Sequence, residues 1–255
     1  MGTKEQPGEG SGKINIVITM AGRGSRFTDA GYALPKPMIP AKGRPMFSWA
    51  LSSLDFYDSN VDRIIFICLK EHVDKFGIDE ELRKEYPSCE VIALDHVTEG
   101  QACTVLLAKK SINNGTPLCI YNIDTVFRSG LKRMIRDPKK RFDGIITVFE
   151  ATNPDYSYAK IGDDGFIAQV AEKKPISGDA TIGLYFFSKG SDFVNAAEAM
   201  IAKDLRVNNE FYVGPCYNEL IAKGKRIVPD HARQFHVLGD PESLKKFEKG
   251  ILGIG

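Results

Sequence analysis

The chain lacks a surplus of either charge. Its 255 residues carry 34 Lys and Arg against 33 Asp and Glu, a net charge of +1. A dedicated nucleic-acid binder usually carries a basic excess, so the total argues against one. It argues equally against an acidic solvating tail. Long apolar runs are missing too. The longest extend over six or seven residues, where a bilayer span needs about 20, so no membrane is expected as a partner. Cys68, Cys89, Cys103, Cys119 and Cys216 contain no C-x-x-C pair, which excludes the usual thiolate metal or redox motif. Their number is odd, and Cys68 and Cys119 sit in apolar runs, where free Cys behaves as a small core hydrophobe. Five reduced thiols in a cytoplasmic protein are expected. His72, His96 and His231 form no ligand spacing. The first thirteen residues lack the basic start and apolar stretch of a signal peptide and read as a flexible tail, with one domain over 14–255.

What the chain does have is a set of short runs rich in β-branched residues: Ile14–Met20, Ile64–Leu69, Val91–Leu94 and Leu118–Ile123. Runs of this length suit strands buried on both faces of a parallel sheet. One helix is expected from Pro45, placing Met46, Phe47, Ala50, Leu51 and Leu54 on one face. Another is expected near Thr98, with Thr98 and Gln101 as a T-x-x-Q capping box. Strands are expected at 144–150, 165–171 and 181–187, with Asp163-Asp164-Gly165 as a turn. Helices are expected at 191–203, from Pro215 to Gly224, and after Pro241. The alternation predicts an α/β fold, one domain with a mixed, mostly parallel sheet. Ligands in such sheets bind beyond the carboxyl ends of the strands.

Beyond the first strand lies Met20-Ala21-Gly22-Arg23-Gly24-Ser25-Arg26, leading to Pro35-Lys36-Pro37. It is not the G-x-G-x-x-G dinucleotide fingerprint, whose third glycine would fall on Phe27, and it has no G-K-[ST]. Gly22 and Gly24 still let the backbone approach a polyphosphate and aim N–H groups at it. Arg26 adds a planar charge that phosphate oxygens accept in pairs. Lys36, between two prolines, is held in place. From Ala21 to Arg44 there are five basic residues and one acidic, a larger surplus than that of the whole chain. A small polyanion with its metal fits that imbalance.

These residues resemble the NTP-transferase superfamily, the pyrophosphorylases that make nucleotide sugars, whose hallmark is G-x-G-[ST]-R followed by P-K-P. The resemblance covers most of residues 14–245. It implies a Rossmann-like layered fold in which Met20, Ala21, Gly22, Gly24 and Ser25 wrap the triphosphate of an NTP, while Arg26 and Lys36 stabilise its charge during the reaction. Thr98-Glu99-Gly100-Gln101-Ala102 matches a segment that meets the nucleotide through Gly100 and Gln101, and the cap and this contact are two open readings of Gln101. Asp124, in Tyr121-Asn122-Ile123-Asp124, matches the aspartate that holds Mg2+ against the phosphates. Glu172 and Lys173, in Glu172-Lys173-Lys174-Pro175, match residues that contact a phosphorylated acceptor, with Lys174 as the other choice for its phosphate. Gly183 would face the acceptor. Asn208-Asn209-Glu210-Phe211-Tyr212, with the Ala30-Gly31-Tyr32 after Arg26, resembles a subgroup of capsule-pathway cytidylyltransferases, one kind of which activates phosphoglutamine. Glu210 and Tyr212 are its candidate acceptor contacts.

The expected partners are therefore an NTP and a phosphorylated small molecule, with no nucleic acid and no membrane, and a homo-oligomer is compatible. One departure stands out. Where many members carry a second metal aspartate, this chain has Val237, which cannot ligate Mg2+. Glu210, Asp230 or His236 are the candidate substitutes. Three other functions remain open at this level. A glycosyltransferase of the same layered fold would carry D-x-D, where this chain has Asn122-Ile123-Asp124. A non-catalytic nucleotide binder would explain Val237. The basic cluster Arg128, Lys132, Arg133, Arg136, Lys139, Lys140 and Arg141 would suit a nucleic acid, but it reads as a solvated helix and loop because only Phe142 is available for stacking.

Overall fold

A computed structural model describes residues 13–54, 61–137, 139 and 141–250. Of the tail expected over 1–13, all but Lys13 lies outside the described residues, as does Lys140 of the basic cluster. The first strand, β1 (Ile14–Met20), has the expected bounds and is buried almost throughout. Strand side chains alternate between faces. Ile14, Ile16, Ile18 and Met20 accordingly enter one apolar cluster and Val17 another. Both faces of β1 are core, as an unbroken apolar run requires.

A short helix α1 (Ser25–Asp29) follows, then a 3-10 turn at Lys36–Met38, a ribbon of β2 (Pro40–Ala41) and β3 (Arg44–Pro45), and α2 (Met46–Leu51). The helix expected from Pro45 opens one residue later, because Pro45 is extended and pairs with Pro40. Met46, Phe47, Ala50, Leu51 and Leu54 are all buried. Next come β4 (Val61–Leu69), α3 (Lys70–Phe76), α4 (Ile78–Glu85), β5 (Glu90–Leu94), α5 (Gln101–Leu106), α6 (Lys109–Ile112), β6 (Leu118–Asn122), β7 (Thr125–Arg128) and α7 (Leu131–Arg136). The second half holds β8 (Gly144–Glu150), β9 (Ser157–Ile161), β10 (Ile167–Glu172), β11 (Asp179–Phe187), α8 (Gly190–Ala202), α9 (Val213–Ile221), β12 (Ile227–His231), β13 (Gln234–Val237) and α10 (Pro241–Glu248). β8 has the expected bounds. The strand expected from 165 starts at Ile167 because the turn before it is longer, with the Gly162 amide donating to the Phe166 carbonyl at 2.8 Å. The helix expected from Pro215 starts at Val213, with Pro215 in its first turn.

Among the described residues nine strands form one mixed sheet, in the order β10-β9-β11-β6-β1-β4-β5 with β8 joined to β11 and β12 joined to β8. β6, β1, β4 and β5 are mutually parallel, and β12 is parallel to β8. β11 runs against β6, β8 and β9, and β10 runs against β9. Only β10 and β11 therefore oppose the other strands, so the α/β sheet is mixed and mostly parallel. A third apolar cluster lies apart from the two sheet faces. Phe27, Ile39, Ala41 and Met46 from the start of the chain pack there against Leu238, Leu244 and Phe247 from its end. Burying Phe27 and Phe247 contributes about 2 kcal/mol each. This cluster fixes the loop after β1 against the C-terminal segment, and the two together frame the cleft at the carboxyl end of β1.

Candidate active site

The loop after β1 turns at Gly24, whose φ of 64° is left-handed and caps α1. A Cβ on Gly24 would lie 3.2 Å from the Lys36 Cβ, so glycine lets the Pro35–Pro37 turn pack against the loop. That packing carries Lys36 across to β6. Its Nζ donates to Asp124 Oδ1 at 2.5 Å, with the Phe27 ring centroid 5.9 Å away. The Lys36 side chain is 14% exposed and that of Asp124 45%, so the ammonium is enclosed while the carboxylate still faces the cleft. An added Cβ at Gly239 would lie 3.8 Å from Asp124 Oδ2 and 4.0 Å from Arg26 Nη1. Arg26 and Asp124 thus flank one point.

That point is shared by two chambers. The first, about 500 Å3, is lined by Met20, Gly22, Gly24, Ser25, Arg26, Lys36, Gln101, Asp124 and Glu210 among others. No atom lies within 4 Å of where a Gly22 Cβ would sit. The second, about 360 Å3, is lined by Glu172, Lys173, Gly183, Glu210, Tyr212, Val237 and Asp240 among others. Arg26, Gln101, Asn122, Asp124, Glu210 and Gly239 line both. Of the residues expected to touch the nucleotide, Ala21 and Gly100 line neither chamber.

Gly100 has a different part. Its φ is 126°, and a Cβ there would fall 2.5 Å from the Phe211 backbone. The Phe211 amide donates to the Glu99 carbonyl at 2.8 Å, and the Ala102 amide to the Phe211 carbonyl at 2.9 Å. Gly100 is therefore the point where the 210–212 segment docks, which brings Glu210 to the first chamber and Tyr212 to the second. The expected capping box is not formed. Gly100 caps α5 without a side-chain bond. Gln101 instead donates from Nε2 to Thr19 Oγ1 at 2.9 Å, and Thr98 Oγ1 donates to the Gly100 carbonyl at 2.9 Å. Gln101 is thus turned into the cleft.

Gly183 serves a close approach as well. β11 slips register between Thr181 and Tyr185, and Gly183 at φ 84° leaves room for the Asn122 amide, onto which a Cβ would collide. At the end of β10, Glu172 is buried and accepts a short hydrogen bond from Ser157 Oγ. Burial pushes its carboxyl above the usual range and Glu210 adds to that, while Ser157 and Lys173 oppose it. Lys173 is held at φ 51°, and its Nζ donates to Tyr212 OH at 2.9 Å. Lys174 lines neither chamber. Burial, then Glu210 and Glu172, hold the Tyr212 hydroxyl protonated well above its ordinary value.

The candidates to replace the second aspartate separate cleanly. β13 pairs with β7 so that Val237 stands opposite Thr125, and the Leu238 amide donates to the Asp124 carbonyl at 2.6 Å. Valine thus occupies the wall beside Asp124. Asp230 is buried elsewhere, accepting from the Gly130 amide at 3.0 Å and Thr147 Oγ1 at 3.1 Å. His236 packs edge-on against Phe247. Only Glu210 of the three reaches the chambers. Sequence reasoning missed Asp240, which caps α10 by accepting from the Ser243 amide at 2.9 Å. Burial raises its carboxyl, but Ser243 and Arg26 outweigh that and hold it below its ordinary value. Asn122, Asn153, Asp155 and Ser157 of the second chamber were missed too. Among the described residues no three His, Cys, Asp or Glu side chains group closely enough to hold a metal ion. An oxygen donor facing the cleft does suit Mg2+, which is commonly held by one or two carboxylates with substrate phosphates and water. Asp124 fits that use.

The chain resembles known proteins in sequence and in fold. The nucleotidyl transferase family model matches residues 15–213. The nucleoside-diphosphate-sugar pyrophosphorylase of Vibrio cholerae RC9 superimposes with a TM-score of 0.79 at 30% identity, covering 92% of this chain and 99% of that one. The bifunctional protein GlmU of Thermotoga maritima is 25% identical over 222 residues, 84% of this chain and 46% of that protein. The chain thus spans about half the length of such relatives. The glucose-1-phosphate thymidylyltransferase of Xanthomonas campestris is 26% identical over 216 residues, covering 79% of this chain and 68% of that protein.

Proposed function

Because the chain belongs to the nucleotidyl transferase family, we propose that this nucleotidyltransferase joins an NTP to a phosphorylated small acceptor, giving the NDP-linked acceptor and pyrophosphate. The observation that carries this reading is the position of Arg26 and Asp124, at the junction of a chamber holding Lys36 and a chamber holding Lys173. An acceptor phosphate oxygen attacks the α-phosphorus in line, and pyrophosphate leaves on the far side. The nucleophile is already an anion, so no general base is needed. What the residues supply is position and charge. Lys173 screens the acceptor phosphate, and Arg26 and Lys36 screen the triphosphate. Asp124 would hold a nucleotide-borne Mg2+, which neutralises charge on the phosphates when bound.

We favour CTP as the nucleotide and a surface-polysaccharide precursor as the product, made in the cytoplasm. The subgroup pattern at Asn208–Tyr212 supports this, and so does a third cavity. Arg23, between the two cleft glycines, lines a space of about 480 Å3 with Leu69, Leu94, Asp95, His96 and Val97. A carboxylate such as Asp95 suits the exocyclic amino group of cytosine, which uracil and thymine lack. Val237 favours a second reading, a nucleotide binder without transfer activity. One experiment decides. Four NTPs are assayed against phosphorylated acceptors, among them sugar 1-phosphates, phosphocholine and phosphoglutamine, by pyrophosphate release. Release with CTP and one acceptor supports the proposal. Release with UTP, dTTP or GTP and a sugar 1-phosphate keeps the reaction and corrects the substrate. Nucleotide binding with no release from any pair supports the second reading.

A further inference from the structure

The segment between α8 and α9 holds a conformation that costs its backbone something. Asp204, Asn208 and Asn209 have left-handed φ values of 51°, 48° and 62°. Glycine alone takes that region freely, and Asn and Asp tolerate it better than the rest. Asn208 and Asn209 are the central pair of a hairpin turn. The Val207 amide donates to the Glu210 carbonyl and the Glu210 amide to the Val207 carbonyl, each at 3.0 Å. Two successive left-handed residues are what a type I′ turn requires. The turn's exit residue is Glu210, which lines both chambers. Backbone in such regions persists only where the surroundings over-determine it.

Arg206 supplies that constraint. Its Nε donates to Asp204 Oδ1 at 2.5 Å and its Nη1 to the Asn209 carbonyl at 3.4 Å, so one guanidinium clamps the entry and the tip of the turn. Its Nη2 donates to Glu99 Oε2 at 3.3 Å, and the group lies 4.2 Å from the Phe211 ring centroid. Glu99 also accepts the Phe211 amide through its carbonyl. A planar fork makes these contacts together, where an ammonium is a single point charge. The Arg206 side chain is 30% exposed, and those of Glu99 and Asp204 are 67% and 73% exposed. Ion pairs this exposed add little to overall stability, so the effect of the clamp is local.

We propose that Arg206 is a positioning residue for the transfer: it fixes the Asn208–Asn209 turn so that Glu210 reaches the junction of the two chambers, and it ties that turn to Glu99. Arg206 itself lines neither chamber. This rests on the reading above that the second chamber takes a phosphorylated acceptor. Gln101 is held separately, by Thr19, so the acceptor side depends on Arg206 more than the nucleotide side does.

The test compares wild type with Arg206→Lys, which keeps the charge and loses the fork, and Arg206→Met, which loses both. Melting temperatures should stay within about 4 °C of wild type, the range that small surface effects produce. Hydrogen exchange over 205–212, read by mass spectrometry, should quicken in both variants while α8 and α9 exchange as before. In pyrophosphate release the KM for the acceptor should rise at least about tenfold, the cost of one misplaced hydrogen bond to a charged group, and the KM for the NTP should move less. Arg206→Lys is then combined with Glu210→Gln. A residue that acts through Glu210 adds nothing once Glu210 is changed, so the double variant should match Glu210→Gln alone in acceptor KM. Effects that multiply would overturn the proposal. So would a folded Arg206→Lys with unchanged exchange over 205–212 or an unchanged acceptor KM. Glu99→Gln, which removes one arm of the clamp, serves if neither Arg206 variant folds. If no pair of NTP and acceptor releases pyrophosphate, the transferase reading fails, while the exchange data still decide whether Arg206 holds the turn.

Discussion

Replacing Gly100 by alanine distinguishes a docking role from a nucleotide contact. The perturbation is one methyl group, placed 2.5 Å from both the amide nitrogen and the carbonyl oxygen of Phe211. Backbone cannot rotate away as a side chain can. A φ of 126° is also almost confined to glycine, and another residue there costs about 1–3 kcal/mol. Relieving the overlap pushes the 210–212 segment outward and breaks the Phe211–Glu99 and Ala102–Phe211 bonds, at about 1 kcal/mol each. Together these give about 4 kcal/mol, a large part of the 5–15 kcal/mol that usually stabilises a domain. For a chain of this size that corresponds to a fall in melting temperature of about 8–16 °C. Denaturant and thermal unfolding measure it. If the variant unfolds within about 0.5 kcal/mol of wild type and loses only nucleotide affinity, the docking argument is wrong and Gly100 is a ligand contact.

Three further outcomes are expected. Arg26→Ala should lower turnover at least about 100-fold, since one fixed donor at developing charge contributes about 3–4 kcal/mol, with the melting temperature unchanged; near-normal turnover removes Arg26 from the chemistry. Glu172 has a raised carboxyl, so the folded state holds its proton at pH values where the unfolded chain has released it. Its contribution is therefore present at low pH and is lost as pH rises from the ordinary value of 4.5 through the raised one, and urea midpoints across pH should fall more steeply for wild type than for Glu172→Gln. Parallel pH curves for the two proteins would refute this. Asp95→Asn should cut the preference for CTP over UTP about tenfold or more in pyrophosphate release, while an unchanged ratio places the base elsewhere.

The fold was legible where the chain is continuously apolar. β1 and β8 have the bounds read from composition because both of their faces are core. The ribbon of β7 and β13 was not, since four-residue strands paired across some hundred positions leave no local pattern. At the site, Gly22, Gly24, Arg26, Lys36 and Asp124 were legible as types, and the fold brings all five to one cleft. For Gln101 the cap and the cleft contact both stayed open, because its partner, Thr19, lies 82 residues away. Asn122 and Asp240 escaped notice for the same reason. Their neighbours, Gly183 and Arg26, are set by tertiary approach. Glycines at Gly100 and Gly183 look like any loop glycine until the backbone or amide that crowds them is known.

The short ribbon has a consequence for how the molecule can diversify. The family model ends at residue 213, yet Val237, Gly239 and Asp240, beyond that limit, wall the second chamber. The glycine loop beside Lys36 is contributed by the first forty residues, and the closing wall by the last thirty of the described chain. These two pieces of one pocket, drawn from opposite ends of the polypeptide, are locked together by the cluster of Phe27, Met46, Leu238 and Phe247. A change at Val237 or Gly239 therefore reaches Arg26 and Asp124 as well as the second chamber, and the two ends of the chain must change in concert.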